Sequence, residues 1–496
     1  MRKILRNNWL YRIGALGFIM ALVLGVSFDV KPSLGAGLKR DLHQAPLLLY
    51  LPVLLKNYPP PQTVFGVEPL SQTNQPAFNR AKEANTYWLR VPPFSWAAIE
   101  PVRTNPPTYN WSSVNDSALQ SLGLRGFQII ATIKYTPAWA RAQKFAQMAC
   151  GAIKPSAWEA FKDFVVELIR RYSGPPYNIK YWELGNEPDV DGTNPVFPGD
   201  SPFGCWGDPS LPYFGGEYYG QFLAAVYPGI KNADPAAQVM NGGLLLACDP
   251  SHDPNCTTAK FAEGMLNTGK NGFDILSFHG YAAMYGDGKI TDVNFHGWDQ
   301  GASGERGVVM GKITYLRNLM QQKGVNKPLL LTEGALVCPD NETNSYCYPN
   351  PTPTYFDAQA DYVAWLFVRI WAAGLKGAIW YSIDGPGWRS SGLLDMNQQP
   401  RDSYYAYKWL TTELDGASYL GVVAQYPSSS YPTLRAYEFS KAGKRIWVMW
   451  DEAQVGVQVN LPGNLIQVFD RAGTVLPYSA NDPIMIKSPV YAEVTP

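Results

Sequence analysis

Short apolar runs alternate with longer helix-periodic stretches from residue 63 to about residue 412. The runs fall at 64–67, 87–91, 128–133, 179–184, 239–243, 274–278, 329–332 and 377–381. Brief β-rich runs separated by helices predict βαβ units and a parallel sheet. Between the third and fourth runs, Phe161, Phe164, Val165, Leu168 and Ile169 recur at helical spacing, which predicts a helix over 158–172. The stretch 357–373 repeats that pattern. Eight such units are the number that closes a (β/α)8 barrel, so 63–412 is expected to be an α/β TIM barrel.

After about residue 413 the period shortens. Runs at 433–439, 445–450 and 455–461 read as strands, with Lys441-Ala442-Gly443-Lys444 and Asp470-Arg471-Ala472-Gly473 as hairpin turns. A small antiparallel β-sandwich is expected over 413–496. At the other end, Arg2, Lys3, Arg6 and Arg12 precede an uncharged apolar run at 13–28, and Leu34-Gly35-Ala36 supplies small residues. This reads as a signal peptide or N-terminal anchor over 1–36. The run is short for a membrane span of about 20 residues. A Pro-rich linker over 37–62 follows, ending in Tyr58-Pro59-Pro60-Pro61. The body is expected outside the cell or at its surface.

Composition narrows the partners. Lys+Arg and Asp+Glu each total 41, so formal net charge is zero, which gives no electrostatic case for nucleic acid or for a membrane beyond the N-terminal segment. Aromatic content is 14%, enough to supply stacking surfaces for sugar rings as well as core. Six cysteines fit an oxidising compartment. Cys248 and Cys256 are near in sequence, as are Cys338 and Cys347, which leaves Cys150 and Cys205. That grouping is one of about 15 possible. All six follow barrel strands, in loops on one face. The 248–256 stretch also mixes metal-ligand types, but no CxxC or HExxH spacing supports a metal site. No glycine-rich nucleotide motif is present, so no cofactor is implied.

Barrel enzymes carry reactive groups at the C-terminal ends of their strands. The fourth run leads into Trp182-Glu183-Leu184-Gly185-Asn186-Glu187-Pro188-Asp189, and the seventh into Leu331-Thr332-Glu333-Gly334. Two carboxylates therefore emerge on one face. Glycoside hydrolysis needs such a pair, about 5–5.5 Å apart when configuration is retained. Glu187 is the expected acid/base and Glu333 the expected nucleophile. Glu183 competes with Glu187 and is read as structural support.

Asn186-Glu187-Pro188 after the fourth strand, with a glutamate after the seventh, resembles the "4/7" clan of retaining glycoside hydrolases on (β/α)8 barrels. Leu89-Arg90-Val91, Phe94-Ser95-Trp96, Ile99-Glu100-Pro101 and Tyr109-Asn110-Trp111 resemble the strand-two region of members of families 39, 42 and 5. Tyr135-Thr136-Pro137-Ala138-Trp139-Ala140 resembles the end of their third strand, and Phe278-His279-Gly280-Tyr281 the sixth. The trailing β region resembles the accessory sandwich of family 39. The resemblance spans about 63–496 and implies a β-glycosidase acting on a carbohydrate without a cofactor. It implies that Asn186 bonds the sugar 2-hydroxyl, that Tyr281 and Arg90 hold the nucleophile ionised, and that His279 lines the same subsite. Trp380 would form the platform under the sugar, and Trp139 would extend the cleft. Asp384, Trp388 and Arg389 follow the eighth strand near the entrance. Two other readings share the scaffold: an inactive surface carbohydrate-binding protein, and a transglycosylase that differs only in acceptor.

Overall fold

The structure is a computed structural model describing residues 63–145, 147–192, 203–284, 286–291, 298, 307–339 and 343–496. The expected signal or anchor and the expected linker lie outside the described residues. Residues 61–496 form one compact unit.

All eight expected runs are strands: β1 (Phe65–Glu68), β2 (Trp88–Ser95), β3 (Gln128–Lys134), β4 (Tyr181–Asn186), β5 (Gln238–Gly243), β6 (Leu276–Met284), β7 (Leu329–Val337) and β8 (Ala378–Tyr381). They pair in parallel, in the order β5-β4-β3-β2-β1-β8-β7-β6. Parallel bridges Met240–Ile275 and Leu244–Phe278 join the two edges and close the barrel. A two-residue strand, Ile290–Thr291, hangs antiparallel on the end of β6 and is not a stave.

The helices follow from their apolar stripes. Helix Trp158–Tyr172 buries Phe161, Phe164, Val165, Leu168 and Ile169, with Glu159 in its first turn and Arg170 and Arg171 in its last, where the helix dipole favours each sign. Helix Pro353–Ala372 begins earlier than the expected 357, because a proline at its first position is preset for helical geometry.

The C-terminal strands are β9 (Ser418–Val422), β10 (Leu434–Lys441), β11 (Lys444–Asp451), β12 (Val457–Asn460), β13 (Leu465–Asp470), β14 (Val475–Leu476), β15 (Pro483–Ile486) and β16 (Val490–Val494). Six form an antiparallel sheet, β9-β10-β11-β16-β13-β14, and β12 pairs with β15 in a second sheet. The expected turn at 441–444 joins β10 to β11, with positive φ at Ala442 (51°) and Gly443 (79°), which suits a two-residue hairpin. Met449, Val459, Val468, Ile484, Ile486 and Ala492 fill a core of their own. The opposite face joins the barrel core: Trp450 stacks on Trp365 at 5.9 Å, and Phe439 meets Trp371 at 5.6 Å. The sandwich thus packs on helix Pro353–Ala372, which sits between β7 and β8.

The three disulfides are Cys150–Cys205, Cys248–Cys256 and Cys338–Cys347, the grouping suggested by sequence proximity. Cys248 and Cys256 are thereby removed from any metal-ligand set.

Candidate active site

The mouth of the barrel is organised around Arg90, a fully buried side chain on β2. Its Nη1 donates to Glu333 Oε1 at 2.5 Å and to Glu68 Oε2 at 2.7 Å. Its Nε donates to Glu183 Oε2 at 2.8 Å, and its Nη2 to Asn186 Oδ1 at 2.6 Å. One guanidinium thus ties β1, β2, β4 and β7 together. A buried charge survives only when compensated, and the planar fork of arginine can serve several acceptors at once. Glu183 also accepts from Thr132 on β3 at 2.7 Å and is fully buried, as expected of a supporting carboxylate.

Glu333 has both oxygens occupied, Oε1 by Arg90 and Oε2 by the Tyr281 hydroxyl of β6. Burial opposes its ionisation. His279, Arg90 and Lys134 outweigh burial, with help from the Tyr281 hydrogen bond, and bring its pKa down to about 2. Glu68 has the opposite fate. Burial pushes its pKa up to about 7, with Arg90 pulling down and Glu333 pushing up.

Glu187 reaches the same space by a break in strand geometry. Strict alternation along β4 would send Asn186 and Glu187 to opposite sides. Gly185 takes φ 108° and Glu187 takes φ 46°, both on the positive-φ side that strand residues avoid, and the chain turns so that the side chains of Asn186 and Glu187 face the mouth. The Glu187 amide donates to the Gly243 carbonyl at 2.9 Å, which anchors the turn to β5. Glu187 Oε1 lies 2.8 Å from His279 Nδ1, which is itself 3.5 Å from Glu333 Oε2. Burial disfavours charge on His279, but Glu333 and Glu187 together raise its pKa above 6.5. Gly243 makes room for this ring, because a Cβ there would sit 2.1 Å from His279 Nε2. One oxygen each of Glu187 and Glu333 and one His279 nitrogen all lie within 4.8 Å of one another.

That trio also has the spacing of a metal site. Arg90 and Tyr281 already engage both Glu333 oxygens, and a dication there would face the buried guanidinium. The arrangement suits a carboxylate kept ionised beside a second carboxyl group that can exchange a proton.

The structure corrects the expectation for Trp380. Trp380 is 0% exposed, its indole N–H donates to the Ser391 carbonyl at 2.9 Å, and its ring packs toward Tyr362, so it faces the helices rather than the sugar. Register explains this. Trp380 pairs with the core residue Val67, whereas its neighbour Tyr381 pairs with inward-facing Glu68. Tyr381 takes the site position, its ring 6.2 Å from that of Tyr281. His279 is fully buried beside both glutamates. Trp139 donates to the Glu100 carbonyl at 3.0 Å and packs edge-on against Trp96 at 5.3 Å, so its contacts tie the loop after β2 to the loop after β3.

Glu68 and Tyr381 are the residues that reading the chain missed. Both lie at the end of short strands with no motif around them, and only pairing register marks them. Trp388, beyond β8, is 39% exposed, with its ring edge-on to Tyr281 at 5.0 Å and the Arg389 guanidinium 4.9 Å from its centroid. Asp384 is buried and accepts from Asn74 at 3.0 Å. A cleft beside Asn186 is lined by Lys134, Trp96, Trp206 and Cys150.

No protein family and no curated protein matches the chain in sequence. Solved structures match its fold. A family 39 glycoside hydrolase from Bacteroides cellulosilyticus WH2 superposes with a TM-score of 0.63 at 17% identity, covering 88% of this chain and 81% of the other. A family 39 β-xylosidase from Caulobacter crescentus gives 0.55 at 15% identity over 89% and 98%. A family 30 subfamily 8 xylanase from Clostridium acetobutylicum gives 0.54 at 14% identity over 87% and 96%. The chain shares the (β/α)8 fold of these glycoside hydrolases, accessory β-structure included.

Proposed function

We propose that this protein is a retaining β-glycoside hydrolase that cleaves O-glycosidic bonds in β-linked oligo- or polysaccharides. The observation that carries the reading is the approach of Glu187 and Glu333 to within 4.8 Å through one oxygen each. That spacing suits direct attack by a carboxylate and is shorter than the about 6.5–9.5 Å of an inverting pair.

In the first step a lone pair of ionised Glu333 attacks the anomeric carbon while the Glu187 carboxylic acid gives its proton to the leaving oxygen. The glycosidic bond breaks and a glycosyl ester forms on Glu333. In the second step Glu187, now a carboxylate, takes a proton from water, and the hydroxide oxygen displaces Glu333. Arg90 and Tyr281 keep Glu333 charged and oriented between turnovers. Asn186, held by Arg90, addresses the sugar 2-hydroxyl. Trp388 offers the exposed aromatic face that Trp380 does not, and is the better candidate for the platform under the sugar. Three disulfides support work in an oxidising, extracellular setting.

Replacement of Glu333 by Gly in the full chain tests the assignment. Turnover of aryl β-glycosides is expected to vanish and to return with added azide, which fills the space left by the carboxylate. Full activity in that variant would refute it.

A further inference from the structure

A second pair of buried charges lies behind the glutamates. Lys312, on helix Val308–Gln322, is 3% exposed. Its Nζ donates to the Leu245 carbonyl at 2.7 Å and to the His279 carbonyl at 2.9 Å. Asp189 is fully buried and accepts the amides of Leu245 at 2.9 Å and Leu246 at 2.8 Å. Leu245 is therefore gripped twice, its N–H by a carboxylate that accepts from it and its C=O by an ammonium that donates to it. The links form a ring. They run from Glu187 along two residues of chain to Asp189, across Leu245 to Lys312, and on to the backbone of His279, whose ring returns to Glu187.

Taking a lysine out of water costs several kcal/mol unless its partners are well placed, as the two carbonyls that Lys312 serves are here. Burial draws the Lys312 pKa down to about 8, with Asp189 and Glu187 opposing, and pushes that of Asp189 up to about 6. The two charges see each other and Glu187, yet neither touches the mouth of the barrel.

We propose that Lys312 and Asp189 are positioning residues that hold the Glu187 carboxyl against His279, where it can reach the leaving oxygen. This rests on the acid/base reading of Glu187. Leu245 and His279 are on separate staves or the loops that follow them, and Glu187 sits on a left-handed turn that alternation alone would not aim. The lysine fixes the two backbones relative to each other, and the aspartate fixes the turn to the same point.

The test uses the full chain with Lys312→Met and Asp189→Asn, and kcat/KM on aryl β-glycosides graded from 2,4-dinitrophenyl to unsubstituted phenyl. Dinitrophenolate leaves without a proton, whereas phenol needs one. Both variants are expected to stay within about twofold of the parent on the dinitrophenyl substrate and to fall about tenfold or more on the phenyl substrate, a part of the about 10² to 10⁴ that general acids supply. An equal loss on all leaving groups, or no loss, overturns the proposal, since a merely structural role does not read the leaving group. Asp189→Asn carries the test alone if Lys312→Met fails to fold. Glu187→Ala on the same series separates the two levels. A leaving-group dependence that is flat in that variant overturns the acid/base assignment itself, whereas a steep one there with flat Lys312 and Asp189 variants overturns only the positioning role.

Discussion

Arg90 Nη1 stands 2.5 Å from Glu333 Oε1, both side chains buried, and the same guanidinium reaches Glu68, Glu183 and Asn186. The site is thus built around one guanidinium that serves three carboxylates and an amide, and its integrity depends on that cation more than on any one acid. Arg90→Met strands three buried carboxylates, and breaking a buried pair costs about 3–5 kcal/mol. Denaturant unfolding of the variant is expected to show a loss of that size. Arg90→Lys is not expected to restore it, because a point charge cannot span acceptors on three strands. A loss under about 1 kcal/mol would mean that the cluster is held from elsewhere.

The pH dependence of stability follows from two opposed shifts. Glu333 titrates near 2, below its ordinary 4.5, so its contribution is present above about pH 4.5 and is lost as pH falls toward 2. Glu68 titrates near 7, above 4.5, so the native state holds its proton more tightly. Its contribution is present below about pH 4.5 and is lost as pH rises to about 7. Glu68→Gln is expected to reduce the decline between those two values, to leave the part that Asp189 and Asp361 contribute, whose pKa values burial raises to about 6, and to leave the acid loss in place. Chemical denaturation at a series of pH values checks this, and an unchanged decline would assign it to another group.

Two tryptophans near β8 are expected to trade roles. Trp380→Ala empties a fully buried site and is expected to cost about 3–5 kcal/mol of stability. Trp388→Ala removes an exposed ring beside Tyr281, and is expected to raise KM about fivefold through the loss of roughly 1 kcal/mol of stacking, with the melting temperature nearly unchanged. Steady-state kinetics and thermal melts on both variants decide the matter. The opposite pattern would restore Trp380 as the platform.

The Cys150–Cys205 bond spans 55 positions between the loops after β3 and β4. Constraint of an unfolded loop of that length is worth about 4 kcal/mol. Cys150→Ser/Cys205→Ser is expected to lower the melting temperature by several degrees and to keep turnover on aryl glycosides, because Cys150 borders the cleft beside Asn186 without touching either glutamate. Unchanged melting would show that the loops are held by other contacts.

The barrel was legible because each stave is a compact apolar run and each helix carries a stripe of period 3.6, signals that survive without tertiary context. Glu187 and Glu333 were legible because the barrel assigns reactivity to strand ends, and both sit there. The inward aromatic of β8 is not readable locally, because Trp380 and Tyr381 are adjacent on a four-residue strand. Which one faces inward depends on pairing β8 with Val67 and Glu68, a property of register and not of local sequence. Glu68 is a lone acid ending a four-residue strand, and its meaning comes only from Arg90, which arrives from the next stave. The depth of His279 depends on Gly243, where the absence of a Cβ lets the ring sink beside Glu187. Lys312 lies within a helix whose pattern gives no hint that one turn looks into the back of the site.

The nucleophile is the point on which the rest turns. Incubation of the protein with a panel of 2,4-dinitrophenyl 2-deoxy-2-fluoro-β-glycosides, followed by peptide mass mapping, reads it directly. One stoichiometric glycosyl ester on Glu333, formed as activity is lost, is the expected result. Time-dependent inactivation with the ester on any other residue would contradict it, as would inversion of anomeric configuration in the hydrolysis product.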